Sequence, residues 1–377
     1  MDGSDRRKKV LFLIRCLEVG GAQRVFLTLL RHLDRRYFQL HLGLLQPDGE
    51  FVDQLPQDVA VHVLPDVRRP KSVIGFLLLM YRLIPLLWRL RPNTVLSTGG
   101  MNLAVVVASP LMPRGTRLLV RECSVLSERL SSEMKYPGLW RWIYRRLYRL
   151  ADHVVCQSDS MVRDMREEFD LPPESLVRVY NPIDIDLVRA WGRSGENPYS
   201  GAGPQLVAAG RLTYEKGFDL LLAAMPKVIA HFPNVKLTVL GEGSLQNVLS
   251  EQARKLGLTE SVTFVGFHQN PWPYLCHADL FVLPSRREAF GNALLEALAL
   301  ETQAVAADCP GAIREIYSAN PAVELVPAGN AGRLGEAIIA RCMVAKSERS
   351  KTRVSPEWLA QFSLHRIVGE YSALFLP

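Results

Sequence analysis

Two short stretches of the chain hold charged side chains at spacings that suit phosphate and hydroxyl chemistry. In GRLTYEKG, residues 210–217, Arg211 and Lys216 follow an apolar run and would leave a strand end together. Arginine offers a planar fork to two phosphate oxygens and lysine a mobile point charge, so the pair suits a diphosphate. A solvated loop accounts for either cation alone, and less well for both. In SRREAFGNALLEALA, residues 285–299, Glu288 and Glu296 lie eight apart around Phe290, Gly291 and Asn292. Gly291 lets bare backbone N–H groups approach a phosphate or sugar oxygen where a helix begins. Glu296 then falls one turn into that helix among apolar neighbours, where a carboxylate is costly to bury unless a donor such as a hydroxyl pair meets it.

Three further features are weaker. Gly20-Gly21 follows the first apolar run and precedes a helical pattern, which fits either close backbone approach to a phosphate or a plain tight turn. AADCPGAIREI, 306–316, joins a strand end to a Pro-Gly turn and Glu315. Asp184-Ile185-Asp186 has the D-x-D spacing that shares a hard cation with a diphosphate, but Asn181-Pro182 before it favours a turn, and the motif reads as structural.

The elements that must position these residues alternate between short apolar runs and helical patterns. VLFLI (10–14), LHLGLL (40–45), VAVHVL (59–64), TVLSTG (94–99), RLLVRE (117–122) and HVVCQS (153–158) are strand candidates in the first half. QLVAAGRL (205–212), KLTVLGEG (236–243), VTFVGF (262–267), LFVLPS (280–285) and QAVAAD (303–308) continue the pattern in the second. Such alternation implies an α/β chain with parallel sheets covered on both faces, and ligands at strand C-terminal ends. The Pro/Gly/Ser-rich stretch 191–204 reads as a linker, and no tandem repeat is evident. Two doubly wound domains follow, 1–190 and 204–355, with an amphipathic terminal helix in 356–377 that can return to the first domain. With 48% hydrophobic and 22% charged residues, disorder and fibrous structure are excluded. The six cysteines form no C-x-x-C pair, which argues against a disulfide framework or zinc module and for a reducing cytosol.

The ordered set EVGGAQR, VYNPID, GRLTYEKGFDLLLAA, LTVLGEGSLQ, VTFVGF, LFVLPSRREAFGNALLEALA and DCPGAIREI resembles the retaining glycosyltransferases of the GT-B fold, family four, from Val10 to about Ile316. The resemblance implies two Rossmann-like domains facing across a cleft, the first binding acceptor and the second binding a nucleotide-sugar donor. It implies that Arg211 and Lys216 hold the leaving diphosphate in place of a metal ion, so that neither metal nor cofactor is required. Glu296 is then expected on the ribose hydroxyls, and Glu288 with the backbone of Phe290, Gly291 and Asn292 on the donor sugar. Gly266 and Phe267 are expected near the base, and Gly20 and Gly21 near the diphosphate. Glu122, in Arg121-Glu122-Cys123 where many members present a histidine, is the expected contact to donor sugar or acceptor. The chain departs from the family pattern at Ala289, commonly Gly, and at Glu301-Thr302-Gln303, commonly Gly-x-Pro. These residues do not distinguish a front-face route from a covalent one.

Charge points to a partner. Residues 1–185 hold 27 Lys+Arg against 20 Asp+Glu, and residues 186–377 hold 18 against 18, so the whole +7 lies in the first half. KSVIGFLLLMYRLIPLLWRLRPN (71–93) and YPGLWRWIYRRLYRL (136–150) combine Arg with aromatic and aliphatic residues and contain no acid. The first is too short and too interrupted to span a bilayer; both suit an interfacial helix, and equally core helices with snorkelling arginines. The expected partners are a nucleotide sugar (a UDP-N-acetylhexosamine favoured), a polyprenyl-diphosphate-linked saccharide acceptor and an anionic membrane surface, with the protein peripheral on the cytoplasmic face. No nucleic-acid-binding module is recognisable, so nucleic acid is not expected. A soluble transferase with a small acceptor, a sugar-nucleotide epimerase or hydrolase, and a non-catalytic partner subunit are the alternatives.

Overall fold

The computed structural model describes residues 7–18, 20–64, 73–344 and 354–376. Residues 1–6, Val19 of EVGGAQR, positions 65–72 (with Lys71 and Ser72 of the run 71–93), positions 345–353 of the second domain and Pro377 lie outside the described residues. The chain forms two compact units: one runs to Pro182 and resumes at His365, and the other spans Ile183–Leu364.

The first unit holds a seven-stranded parallel sheet. Its strands are β1 (Lys8–Ile14), β2 (Phe38–Leu44), β3 (Ala60–Val63), β4 (Thr94–Thr98), β5 (Arg117–Arg121), β6 (His153–Cys156) and β7 (Leu176–Arg178), in the order β3-β2-β1-β4-β5-β6-β7. Side chains alternate across a strand, so the unbroken apolar run of β1 feeds two cores at once. Val10, Phe12 and Ile14 pack with Phe26, Leu29 and Phe375, while Leu11 and Leu13 pack with Leu83, Leu87 and Met101. The terminal helix Leu364–Phe375 completes the first of these cores, with the Phe375 ring 5.9 Å from both Phe12 and Phe38. Arg121 has no exposed surface and ties that helix to the end of β5, donating to Tyr371 Oη at 3.1 Å and to Asn181 Oδ1 at 2.5 Å.

The second unit holds a six-stranded parallel sheet of β8 (Gln205–Ala209), β9 (Lys236–Leu240), β10 (Val262–Gly266), β11 (Leu280–Leu283), β12 (Ala304–Asp308) and β13 (Val323–Pro327). Their order is β10-β9-β8-β11-β12-β13. In each sheet the winding reverses once, between β1 and β4 and between β8 and β11, and loops at the C-terminal ends of such strand pairs diverge to leave a crevice.

Two boundaries differ from the sequence expectation of 190 and 355. Helix Ile185–Ser194 belongs to the second unit, where Arg189 Nε donates to Ala299 O at 3.0 Å and a Cβ on Gly192 would stand 2.5 Å from Leu300. At the other end, the short helix Pro356–Ala360 stays in the second unit because Trp358 packs on Tyr317 and Phe362, and Phe362 on Phe290. Asp184 caps helix Ile185–Ser194, accepting from Leu187 N at 3.0 Å, in keeping with the turn reading of Asp184-Ile185-Asp186.

Candidate active site

In the second unit the loops that leave β8 and β11 carry the charged residues. After β8 the chain turns at Gly210, passes the exposed Arg211, and forms a single 3-10 turn, Tyr214–Lys216, before Gly217 opens helix Phe218–His231. Gly217 has φ 67°, and a Cβ there would lie 2.1 Å from Pro284 O, so only glycine lets this loop close against the end of β11. The β9 loop closes on the other side, where a Cβ on Gly241 would lie 2.0 Å from Gly210 O.

This close packing brings Lys216 to Glu288. Lys216 Nζ donates to Glu288 Oε2 at 2.5 Å, and Ser285 Oγ donates to the same oxygen at 3.2 Å. Both charged side chains are largely covered, so their attraction is screened less than that of a surface pair. A lysine has three donors; Glu288 uses one, and two remain to meet oxygens of a ligand. Glu288 is itself held by the β12 loop, its N–H donating to Pro310 O at 3.2 Å and Gly311 lying so close that a Cβ would meet Glu288 O at 1.8 Å. Cys309 in that loop stays a thiol at neutral pH, because burial and then the Glu288 charge push it up to about 12.

Beyond Glu288, Phe290 is buried against Phe362, and Tyr317 Oη donates to the carbonyls of Phe290 and Gly291 at 3.3 Å. Burial and then the charges of Glu288 and Glu296 push the Tyr317 phenol upward. Gly291 sits at φ 82° as N-cap of helix Asn292–Ala299 and supplies no capping side chain, so the helix start presents backbone rather than a hydroxyl or carboxylate. Glu296 is buried on this helix and accepts from Trp272 Nε1 at 2.9 Å. At the end of β10, Gly266 has φ 75°, and Phe267 N donates to Glu242 Oε1 at 3.2 Å. The loop that carries Lys216 is bound to the loop that carries Glu288 by Arg286, which pairs with Asp219. Sequence reasoning misses Arg286, Asp219, Ser285, Trp272 and Glu242; the Trp-Pro step at 272–273 and the doubled arginine before Glu288 are the signals that could have found some of them.

In the first unit, helix Gly21–His32 follows β1 at the reversal point. Gly20 is its N-cap and is extended, with φ 177°; it provides no capping side chain, and the first turn holds no acid. Glu122 lies elsewhere than expected. It follows β5 with no exposed surface, accepts from Tyr148 Oη and from Asn102 Nδ2 (3.2 Å), and faces Arg129 at 3.9 Å. A carboxylate enclosed by three side chains has no surface through which to meet a sugar or acceptor. Its placement corrects the expectation of a ligand contact: Glu122 joins helices Asn102–Ala108 and Leu126–Glu133 and the Tyr148 turn to the sheet.

The two basic-aromatic runs differ in what their side chains meet. In helix Pro137–Leu147 and the turn after it, Arg145 and Arg149 pair with Asp170 and Arg141 with Glu168, so a run without acids in sequence finds them in the fold. Helix Val73–Leu90 instead turns Ile74, Leu77, Leu78, Tyr81 and Trp88 outward, with Ile74 72% and Tyr81 70% exposed. Among the described residues, no helix is long and apolar enough to cross a membrane.

Residues 19–187 match the family model for Glycosyltransferase Family 4, and residues 203–342 match that for Glycosyl transferases group 1. The N-acetylgalactosamine-N,N'-diacetylbacillosaminyl-diphospho-undecaprenol 4-alpha-N-acetylgalactosaminyltransferase of Campylobacter jejuni is 26% identical over 320 residues, 82% of this chain and 83% of that enzyme. Glycogen synthase of Mycobacterium tuberculosis is 33% identical over 188 residues, which cover 49% of this chain and 44% of that one. Among solved structures, a glycosyltransferase of Rickettsia africae superposes with TM-score 0.78 at 15% identity, covering 98% of each chain. The Anabaena protein HepE, in complex with UDP and glucose, superposes with TM-score 0.77 at 19% identity over 98% of this chain and 99% of that one. Structural likeness at these identities shows the fold; the domain models, one on each half, show the enzyme class. The chain belongs to the family 4, group 1 glycosyltransferases and has their GT-B fold.

Proposed function

We propose that the chain is a retaining, metal-independent glycosyltransferase that moves a sugar from a UDP-N-acetylhexosamine to a polyprenyl-diphosphate-linked saccharide on the cytoplasmic face of a membrane. The observation that carries the donor half is the Lys216–Glu288 pair at 2.5 Å, fixed where the loops leave the neighbouring strands β8 and β11 and flanked by the Gly291 helix start. In this reading a donor diphosphate meets Lys216 and Arg211, which stabilise the charge that builds up as it leaves, the role a metal ion has in other sugar transferases. Glu288 and the backbone at 290–292 hold the sugar. Glu296, oriented by Trp272, takes the ribose hydroxyls, and Gly266 with Phe267 lies by the base.

The acceptor half is supported by the Campylobacter jejuni relative, named for a diphospho-undecaprenol-linked substrate, and by the outward stripe Ile74, Leu77, Leu78 and Tyr81. These recur at i, i+3, i+4 and i+7, a face that water does not favour and a lipid interface does. Arg82 and Arg89 lie on the same helix, and each basic residue near an anionic surface contributes about 1 kcal/mol. The test has two arms. UDP-, GDP- and ADP-sugars are compared by thermal shift, where the preferred base raises stability most; a UDP-sugar should lead. The protein is then pelleted with anionic liposomes, and Leu77→Glu with Tyr81→Glu should release it without changing the thermal shift. A wild type that stays in the supernatant at low salt removes the lipid-linked acceptor and favours a soluble one.

A further inference from the structure

We propose that Arg286 is a positioning residue for Lys216, fixing the loop that carries the lysine to the loop that carries Glu288. The inference rests on the reading of Lys216 as a diphosphate ligand. An ammonium on a four-carbon stem is placed only as well as its backbone is placed, and the turn Tyr214–Lys216 is one 3-10 turn, too short to hold itself.

Arg286 grips that turn from both sides of Lys216. Its Nη1 donates to Tyr214 O at 3.0 Å, two residues before the lysine. Nη1 and Nη2 meet Asp219 Oδ1 and Oδ2, each at 2.7 Å, three residues after it. The guanidinium also stacks on the Tyr214 ring at 4.2 Å, and the Arg286 N–H donates to Glu215 O at 2.7 Å. Two residues further along the same loop, Glu288 receives Lys216. An isolated surface pair fixes little, but a planar fork on two carboxylate oxygens, a carbonyl and a ring defines one geometry. Neither Arg286 nor Asp219 needs to touch the donor for this. Lysine at 286 keeps the charge and loses the fork, and asparagine at 219 keeps the shape and loses the second acceptor oxygen.

The experiment is calorimetry with UDP alone, together with steady-state kinetics and thermal melts, on wild type, Arg286→Lys, Asp219→Asn, Lys216→Ala and the double variant Lys216→Ala/Arg286→Lys. Arg286→Lys and Asp219→Asn should each weaken UDP about tenfold, because a small misplacement of a binding group is felt in full. The donor KM should rise with them while the acceptor KM stays, and the melting midpoint should move by no more than about 2 °C. In the Lys216→Ala background, Arg286→Lys should add no further loss, since it acts through the lysine. An equal loss with and without Lys216, or no loss in either Arg286→Lys or Asp219→Asn, overturns the positioning role. If Lys216→Ala itself leaves UDP affinity unchanged, the diphosphate reading fails and this inference falls with it.

Discussion

Gly217→Ala separates two costs that the fold imposes on one turn. At φ 67° any residue with a Cβ takes up left-handed backbone, which costs roughly 1–2 kcal/mol. The added carbon would also stand 2.1 Å from Pro284 O, a backbone atom at the end of β11 that cannot rotate away. Overpacking of this kind costs about 1–3 kcal/mol more. Gly257 supplies the control: its φ is 68° and nothing lies within 4 Å of its added carbon. Gly257→Ala should therefore lose about 1–2 kcal/mol and Gly217→Ala about 2–5 kcal/mol. Both positions lie in the second unit, so urea denaturation of the same transition reads both, with an unchanged dependence on denaturant. Because Gly217 adjoins Lys216, its alanine variant should also lose UDP affinity, and the Gly257 variant should not. Equal destabilisation of the two, with UDP binding intact in both, would refute the claim that the β8 loop is wedged against β11.

Other outcomes follow from single residues. Glu301 stands at φ 65° just after helix Asn292–Ala299, so Glu301→Gly should stabilise by about 0.5–1 kcal/mol after the entropy cost of glycine, measured by the same denaturation. His41 is buried 3.1 Å from His62, and burial, then the His62 and Lys9 charges, bring it from 6.5 to about 4, while burial and Arg89 lower His62. A base depressed in the native state leaves the unfolded chain holding more protons, so stability is full above pH 6.5 and is lost as pH falls towards 4; the His41 share is on the order of 3 kcal/mol, and His41→Gln should flatten that slope. Trp272→Phe removes the donor to Glu296 and should weaken UDP about fivefold, while Glu296→Gln should narrow the preference of the site for UDP over its 2′,3′-dideoxy analogue. Equal affinity for the two nucleotides in the wild type would remove Glu296 from the ribose.

Strands buried on both faces announce themselves as apolar runs, which is why β1, β4 and β8 are legible in the sequence. β7 and β13 are not: each is the outer strand of its sheet, and LVR and VELVP carry the charge or proline that an edge tolerates. The loop chemistry at 210–217 and 285–296 is legible because the glycines mark left-handed backbone and the charges follow strand ends. What the sequence hides are partners far apart along the chain. Arg121 finds Tyr371 250 positions away, Trp272 finds Glu296, and Arg286 finds Asp219. Glu122 misleads for a related reason: its place after a strand suggests a cleft residue, whereas Tyr148, Asn102 and Arg129 enclose it. The run 136–150 likewise holds no acid of its own, and the fold brings Asp170 and Glu168 to its arginines.

The proposed mechanism has protein cations, Lys216 foremost, stabilise the leaving diphosphate. Sugar transfer from a UDP-N-acetylhexosamine to a polyprenyl-diphosphate-linked saccharide, followed in EDTA for the wild type and Lys216→Ala, tests it directly. Transfer should survive EDTA in the wild type and fall by about 10²–10³-fold in the variant, the loss found when one preorganised charge donor is removed from a transition state. Full activity in Lys216→Ala, or activity in the wild type that disappears with EDTA and returns with a divalent cation, would contradict it.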